Sequence, residues 1–161
     1  MATPALAEQV RVTPGTSEDI DEVMKVMDGA FGDRFGEAWT RSQLSGILPM
    51  AGVFLVLAHD SDRDCVVGFS LFRSVADESE LLLIGVLPEE QRRGIGRLLL
   101  DDFIDRARQE QLRRVHLEVR DGNPAVAMYR AAGFSPVGRR RNYYHAADGK
   151  RYDAITLAYE L

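Results

Sequence analysis

The segment Gln91-Arg-Arg-Gly-Ile-Gly-Arg97 carries the chemistry of an anion site, because it opens an amphipathic helical run. A helix start leaves about four backbone N–H groups unpaired and carries roughly half a positive charge. Gly94 and Gly96 let backbone approach an anion closely and permit the positive-φ geometry of an anion-binding nest. Arg92, Arg93 and Arg97 add positive charge. The same Gly-x-Gly pair also makes an ordinary tight turn, and the loop by itself leaves both readings open. It lacks the Gly-x-x-x-x-Gly-Lys-Ser/Thr of a Walker loop and the third glycine of the dinucleotide fingerprint.

Further along, Val115, Leu117 and Val119 alternate with His116, Glu118 and Arg120. Alternation puts Glu118 on the polar face of a strand, as a solvated residue or as a reacting one. Tyr129 sits in a helical run and by itself fits a core aromatic. Arg139-Arg-Arg-Asn-Tyr-Tyr144 reads as a nucleic-acid patch or a solvated strand edge. The net charge of −5 argues against nucleic acid, whose phosphates need a basic surface. His59, His116 and His145 have no partners at metal-ligand spacing, so no metal is expected. Cys65 is the single cysteine, so no internal disulfide forms, which fits a reducing, cytoplasmic compartment.

These residues need a scaffold. A chain of 161 residues suits one domain. With 45% hydrophobic and 28% charged residues its composition is globular. No stretch approaches the ~18 apolar residues that read as a membrane span, and the start of the chain has no signal-peptide pattern. Residues 1–8 read as a loose tail and 9–161 as the domain. Thr16 to Asp19 offers capping chemistry ahead of a helix carrying Ile20, Val23, Met24, Met27 and Phe31 at helical spacing. A second short helix is expected over Trp39–Leu48. Strands are expected at 10–13, 53–59, 65–75, 81–87, 114–120, 135–144 and 153–160. The third of the longer ones, apolar on both faces, should be central. Gly96–Gln111 is the strongest helix, with Ile95, Leu99, Phe103 and Ala107 on one stripe. Asn123–Ala132 is another, closed by Gly133. Strands and helices alternate in the second half, which indicates an α/β architecture with a mixed sheet.

In order along the chain, Val86-Leu-Pro88 with Gln91–Arg97, and then Met128-Tyr-Arg-Ala-Ala-Gly-Phe134, resemble the acetyl-CoA and closing-helix motifs of the GNAT acetyltransferase superfamily. Leu117-Glu-Val-Arg120, Arg140-Arg-Asn-Tyr-Tyr144, Asp148-Gly149 and Asp153-Ala-Ile155 bring the resemblance closer to RimI-type protein N-terminal alanine acetyltransferases. The resemblance spans about 81–157, and earlier residues match in layout, with Glu37-Ala-Trp39 corresponding to an aromatic segment near the substrate. It implies a single-domain GNAT fold: a mixed central sheet of six to seven strands flanked by about four helices. It also implies acetyl-CoA as co-substrate. Its pantetheine would lie along Ile84-Gly85-Val86, and its pyrophosphate on Arg92, Arg93, Gly94, Ile95, Gly96 and Arg97.

The implied reaction is attack of an amine on a thioester, with Glu118 as base and Tyr129 as acid. A backbone N–H near Val86 would polarise the carbonyl. Trp39, Arg140, Tyr143 and Tyr144 would line the acceptor slot, and the implied acceptor is the N-terminal alanine of a small-subunit ribosomal protein. A GNAT acting on a small amine or a lysine side chain is the alternative, and a CoA-binding module without turnover is a third reading. No nucleic-acid or membrane partner is expected, and the chain is expected to act as a monomer. An α-amino group, with a pKa near 8, is roughly one-tenth neutral at pH 7, whereas a lysine amine is neutral about 0.04% of the time. A modest base therefore suffices for a protein N-terminus, and Glu118 is expected to act directly or through water. One spacing departs from the family. Asn123 precedes Tyr129 by six residues where the family has seven, which is about 100° of helix rotation. With Pro124 at the first helical position, Asn123 is then an N-cap, and its contact with CoA is left open.

Overall fold

Local chemistry sets where the elements begin, as seen in a computed structural model that describes residues 6–161. Of the expected tail, residues 1–5 lie outside the described residues, and Leu6–Gln9 forms one helical turn, α1. A 3-10 turn at Ser17–Asp19 leads into α2 (Ile20–Phe31). Thr16 Oγ1 accepts from the Glu18 N–H, and the Asp19 carboxylate accepts from the Thr16 N–H. Helix α3 (Arg41–Ile47) starts two residues later than the sequence suggests. The cause is Thr40, which accepts from the Gln43 N–H while Gln43 accepts from the Thr40 N–H, so Trp39 falls in the loop.

Among the described residues seven strands follow the order β1-β2-β3-β4-β5-β7-β6. They are β1 (Val10–Pro14), β2 (Val53–Asp60), β3 (Cys65–Val75), β4 (Glu78–Val86), β5 (Arg114–Arg120), β6 (Ser135–His145) and β7 (Arg151–Glu160). Every neighbouring pair is antiparallel except β4 and β5, which run parallel. The parallel crossover contains α4 (Ile95–Gln109), and α5 (Ala125–Ala132) links β5 to β6. Strand β4 begins at Glu78 rather than Leu81. Its polar first residues pair with both β3 and β5, and the turn is made by Ala76 at φ 54°.

Two apolar layers sandwich the sheet. On one face Ile95, Leu99, Leu100, Phe103 and Ile104 of α4 and Tyr129 of α5 pack on Leu81, Val115, Leu117 and Val119. On the other, Val23, Val26 and Met27 of α2 and Leu44 of α3 pack on Leu55, Phe69, Leu71 and Leu83. Burying such side chains stabilises by about 1.5–3 kcal/mol each before chain entropy is counted. Edge strand β6 is exposed along nearly its whole length, and its arginines discourage pairing with another chain. Among the described residues no helix is long and apolar enough to cross a membrane.

Candidate active site

The cavity begins as a fault in the sheet. Strands β4 and β5 pair only from Glu78/Arg114 to Leu81/Leu117, although β4 runs on to Val86 and β5 to Arg120. The register between β3 and β4 shifts at the same place, leaving Leu82 as an extra residue. The shift shows in the packing, because Leu81 and Leu83 join opposite core layers, which strict alternation forbids. The bulge turns β4 away from its parallel neighbour. A cavity of about 1000 Å³ fills the gap, lined by Leu82–Val86, by Leu117–Arg120 and by residues from both helical layers.

The arginine-glycine loop closes one end of this cavity. Arg92 (φ 68°) and Gly94 (φ 83°) take left-handed backbone conformations, and Gly94 starts α4 with no side-chain cap. The N–H groups at the start of α4 are thus available to an anion. The positive φ expected at Gly96 is instead at Arg92. Gly96 is helical, and a Cβ there would lie 3.4 Å from Met128 Sδ and 3.9 Å from Val86 Cγ2, both on cavity-lining residues. Gln91 Nε2 donates to the Val86 carbonyl at 3.2 Å, which fastens the loop to the end of β4.

Arg93 departs from the expectation of a cavity-facing cation. Its guanidinium bonds Glu90 at 2.6 Å and Gln9 at 2.8 Å and lies 3.5 Å from Asp60. Arg63 binds the same two carboxylates, so α1, the β2–β3 hairpin and the loop before α4 are tied together. Hydrogen bonds from Arg63 hold the Asp60 carboxyl down to about 2. Burial of Glu90 opposes ionisation, but Arg63 and Arg93 outweigh it and hold its carboxyl below the usual range. Arg92 and Arg97 line the cavity, and Arg97 Nε also bonds Asp101 at 2.8 Å. Gly85 also has a packing reason. A Cβ there would sit 3.0 Å from Phe69 and 3.2 Å from Phe31, so the glycine admits α2 onto β4.

Glu118 and Tyr129 reach the cavity from opposite faces of the sheet. Leu117 and Val119 point into the α4–α5 layer, so Glu118 alternates to the other side. Its Oε1 meets Arg140 Nε at 2.8 Å, and the Tyr143 hydroxyl hydrogen-bonds its carboxylate. Tyr129 comes from α5 and is 5% exposed, with its ring edge-on to Phe134. Burial first, then the fields of Tyr144 and Glu37, push its hydroxyl above the ordinary phenol range. Burial thus favours the neutral hydroxyl.

A second irregularity aims the tyrosines. Between Arg140/Ala154 and Tyr144/Tyr152 the β6 register slips, Asn142 takes φ 53° and its N–H donates to Asp153 Oδ1 at 2.9 Å. Tyr143 and Tyr144 consequently both line the cavity, with rings edge-on at 5.0 Å. Arg140 is not a lining residue. It is an exposed ionic partner of Glu118. Trp39 lines the cavity from the loop before α3.

The sequence reading gave Glu37 no role of its own. It lies in the cavity wall, and its Oε1 accepts from Arg120 Nε at 3.1 Å while its Oε2 accepts from Asn123 Nδ2 at 3.0 Å. Asn123 Oδ1 accepts from the Ala125 N–H at 2.9 Å, the bond expected of an N-cap. Asn123 also lines the cavity, so the residue reaches α5, Glu37 and the wall at once. A carboxylate in a glycine-rich loop between two short helices carries no sequence signal for this role. The pairing becomes visible only when β5 and the loop meet.

Residues 20–134 match the model of the Acetyltransferase (GNAT) family. The [ribosomal protein bS18]-alanine N-acetyltransferase of Haemophilus influenzae is 37% identical over 97 residues, which is 60% of this chain and 66% of that one. The enzyme of the same name from Escherichia coli K12 is 42% identical over 94 residues, 58% of this chain and 63% of that one. The chain therefore spans somewhat under two thirds of these relatives' length in sequence. The crystal structure of the ribosomal-protein-S18-alanine N-acetyltransferase from Escherichia coli superposes with a TM-score of 0.84. It covers 94% of this chain and 93% of that one at 28% identity. With a bulged, splayed pair of parallel strands, an uncapped glycine-led helix beside them and the family match over residues 20–134, the chain belongs to the GNAT acetyltransferase family.

Proposed function

We propose that this protein is an acetyl-CoA-dependent N-α-acetyltransferase that modifies the N-terminal alanine of a protein, a small-subunit ribosomal protein in the cytoplasm, and that it acts as a monomer. The single observation that carries this reading is the arrangement of the split cavity. Arg92, Arg97 and the start of α4 gather positive charge at one end. Glu80 and Glu118 line the cavity with Tyr143 and Tyr144 from the opposite layer. An anionic donor suits the first side and a cationic amine the second. The names of the relatives from Haemophilus influenzae and Escherichia coli support an alanine N-terminus as the acceptor.

The residues fit the donor. The N–H groups of Arg92–Arg97 would hold a pyrophosphate, and the β4 edge from Leu82 to Val86, unpaired with β5, would take a pantetheine arm as an added strand. When bound, acetyl-CoA supplies the acyl thioester, and no metal is needed. A backbone N–H near Val86 stabilises negative charge on the carbonyl oxygen. Glu118, on the acceptor side, removes a proton from the amine directly or through water. Tyr129, on the donor side, would hold a proton for the departing sulfur; because its hydroxyl is raised, that transfer would need charge or desolvation at the bound thioester to drive it. Placing base and acid on opposite faces keeps the two proton transfers apart. Trp39, Tyr143 and Tyr144 shape a slot for an extended N-terminus.

Release of CoA tests the reading. Peptides beginning with Ala, Ser or Met, an N-blocked lysine peptide and a polyamine are each supplied with acetyl-CoA. Selective release with the Ala peptide is expected, and release only with lysine or polyamine contradicts it.

A further inference from the structure

We infer that Glu37 is a positioning residue for the acceptor, acting through Arg120 and Asn123 and not by touching the acceptor itself. The inference rests on the acetyltransferase reading for its kinetic arm but not for its structural arm. The Glu37 carboxylate has each oxygen bound by a different element: Oε1 by Arg120 at the end of β5 and Oε2 by Asn123 at the start of α5. The Glu37 and Arg120 side chains are only 11% and 8% exposed, so water and salt screen the pair little.

Arg120 does more than neutralise Glu37. Its guanidinium lies 3.6 Å from the Phe35 ring centroid and 5.7 Å from that of Tyr152, and Phe35 meets Tyr152 edge-on at 5.2 Å. The loop between α2 and α3 is thereby clamped to β5 and β7 by a stacked cation as well as by an ion pair. Between Phe35 and Glu37, Gly36 has φ 72°, and its backbone presses on His145 so closely that a Cβ would overlap the His145 carbonyl. His145 directly follows Tyr144, so the loop also buttresses the acceptor tyrosines. The loop carries Trp39, and α5 carries Tyr129. Glu37 therefore joins the wall that receives the acceptor to the helix that supplies the acid.

The fold could hold this loop with apolar contacts alone. A carboxylate saturated by two donors from two elements instead fixes the loop in position and direction, because hydrogen bonds to a charged group are directional. Asn123 suits this task because its amide is used at both ends. One end caps α5 and the other donates to Glu37. The helix shorter by one residue between Asn123 and Tyr129 is thus tied to the acceptor loop through its own cap.

The test compares Glu37→Gln, Asn123→Ser and the double variant with the wild type. Serine keeps an N-cap oxygen but is too short to donate to Glu37, so loss of the cap is not confounded with loss of the strut. Amide hydrogen exchange of the ligand-free proteins is followed in residues 33–40. Glu37→Gln should speed exchange there about tenfold and Asn123→Ser less, because the Arg120 contact survives in it, with the double variant no faster than Glu37→Gln alone. Multiplying effects in the double variant would overturn the inference, because residues acting through one contact cannot contribute twice. Faster exchange throughout the chain in Glu37→Gln would also overturn it, by marking a general loss of stability. In the kinetic arm, Glu37→Gln should raise the acceptor KM about tenfold while the acetyl-CoA dissociation constant stays within twofold. An unchanged acceptor KM, or an equal loss of both affinities, contradicts the inference. Absence of CoA release by the wild type would reject the acetyltransferase reading instead, and exchange in residues 33–40 would still judge the strut.

Discussion

Replacing Gly96 by alanine separates the needs of the fold from those of a ligand. Gly96 is the second residue of α4 and has no positive φ, so alanine adopts its backbone without strain. The added Cβ would lie 3.4 Å from Met128 Sδ and 3.9 Å from Val86 Cγ2, ordinary van der Waals separations. The free protein should gain stability, because alanine loses less backbone entropy than glycine in a helix, by about 0.5 kcal/mol this early in the first turn. For a chain of this size that raises Tm by about 1–2 °C. The same methyl projects between two cavity-lining residues, where a pyrophosphate must come within hydrogen-bonding distance of backbone. Losing one hydrogen bond to a charged group costs about 1.5–3 kcal/mol, or a roughly 10- to 150-fold weaker Kd for acetyl-CoA. Gly94→Ala is the companion. At φ 83° it strains the left-handed start of α4 by about 1–2 kcal/mol, so it should lower both Tm and affinity. Calorimetric titration with acetyl-CoA and thermal melting of both variants decide the matter. A Gly96→Ala protein that melts higher and binds within threefold of wild type refutes the placement of the anion on this loop.

Tyr129→Phe keeps the buried ring and its packing on Phe134 but removes the proton, so kcat should fall about 10²–10⁴-fold with Tm nearly unchanged. Because burial raises the Tyr129 hydroxyl, wild-type turnover should show no loss from its ionisation up to pH 10, and a rate drop abolished by Tyr129→Phe below that pH would contradict the assignment. Glu118→Gln should cut turnover at least about 10²-fold while acetyl-CoA binding, measured by titration, stays unchanged; unaltered turnover removes Glu118 from the mechanism. The Asp60 carboxyl is held at about 2 in the fold, below its ordinary 3.8. Its contribution is therefore complete above pH 4 and lost as pH falls from about 4 to 2, and melting curves of Asp60→Asn should lack that part of the acid slope.

Much of this molecule was legible because its signals are local. The α4 stripe, the apolar β4 and the alternation of β5 each repeat at the period of their own element, and those elements stand within three residues of where the sequence puts them. Caps were legible too, although Thr40 moved a helix start past Trp39 and left that residue in a loop. The departures come from contacts distant in sequence. Arg93 looked like part of an anion site because it neighbours Arg92, yet the nearby Glu90, with Gln9 and Asp60 far back in the chain, draws it away. Glycine at 85 signals close approach without saying from which side, and the intruders are Phe31 and Phe69. The bulges at Leu82 and at Arg141–Tyr143 have no composition signature, since each depends on the register with a partner strand. Glu37 escaped for the same reason, because its partners lie 83 and 86 residues further along the chain.

The central claim, that this cavity moves an acetyl group onto a protein N-terminus, meets its most direct test in intact-mass spectrometry of an acceptor peptide. An Ala-initiated peptide containing an internal lysine is incubated with the protein and acetyl-CoA, then fragmented to locate the added 42 Da, the mass of one acetyl group in place of hydrogen. The account predicts a single acetyl group on the α-nitrogen of alanine, at a rate that collapses in Tyr129→Phe. Acetylation confined to the lysine side chain, or none while acetyl-CoA binds normally, would contradict it.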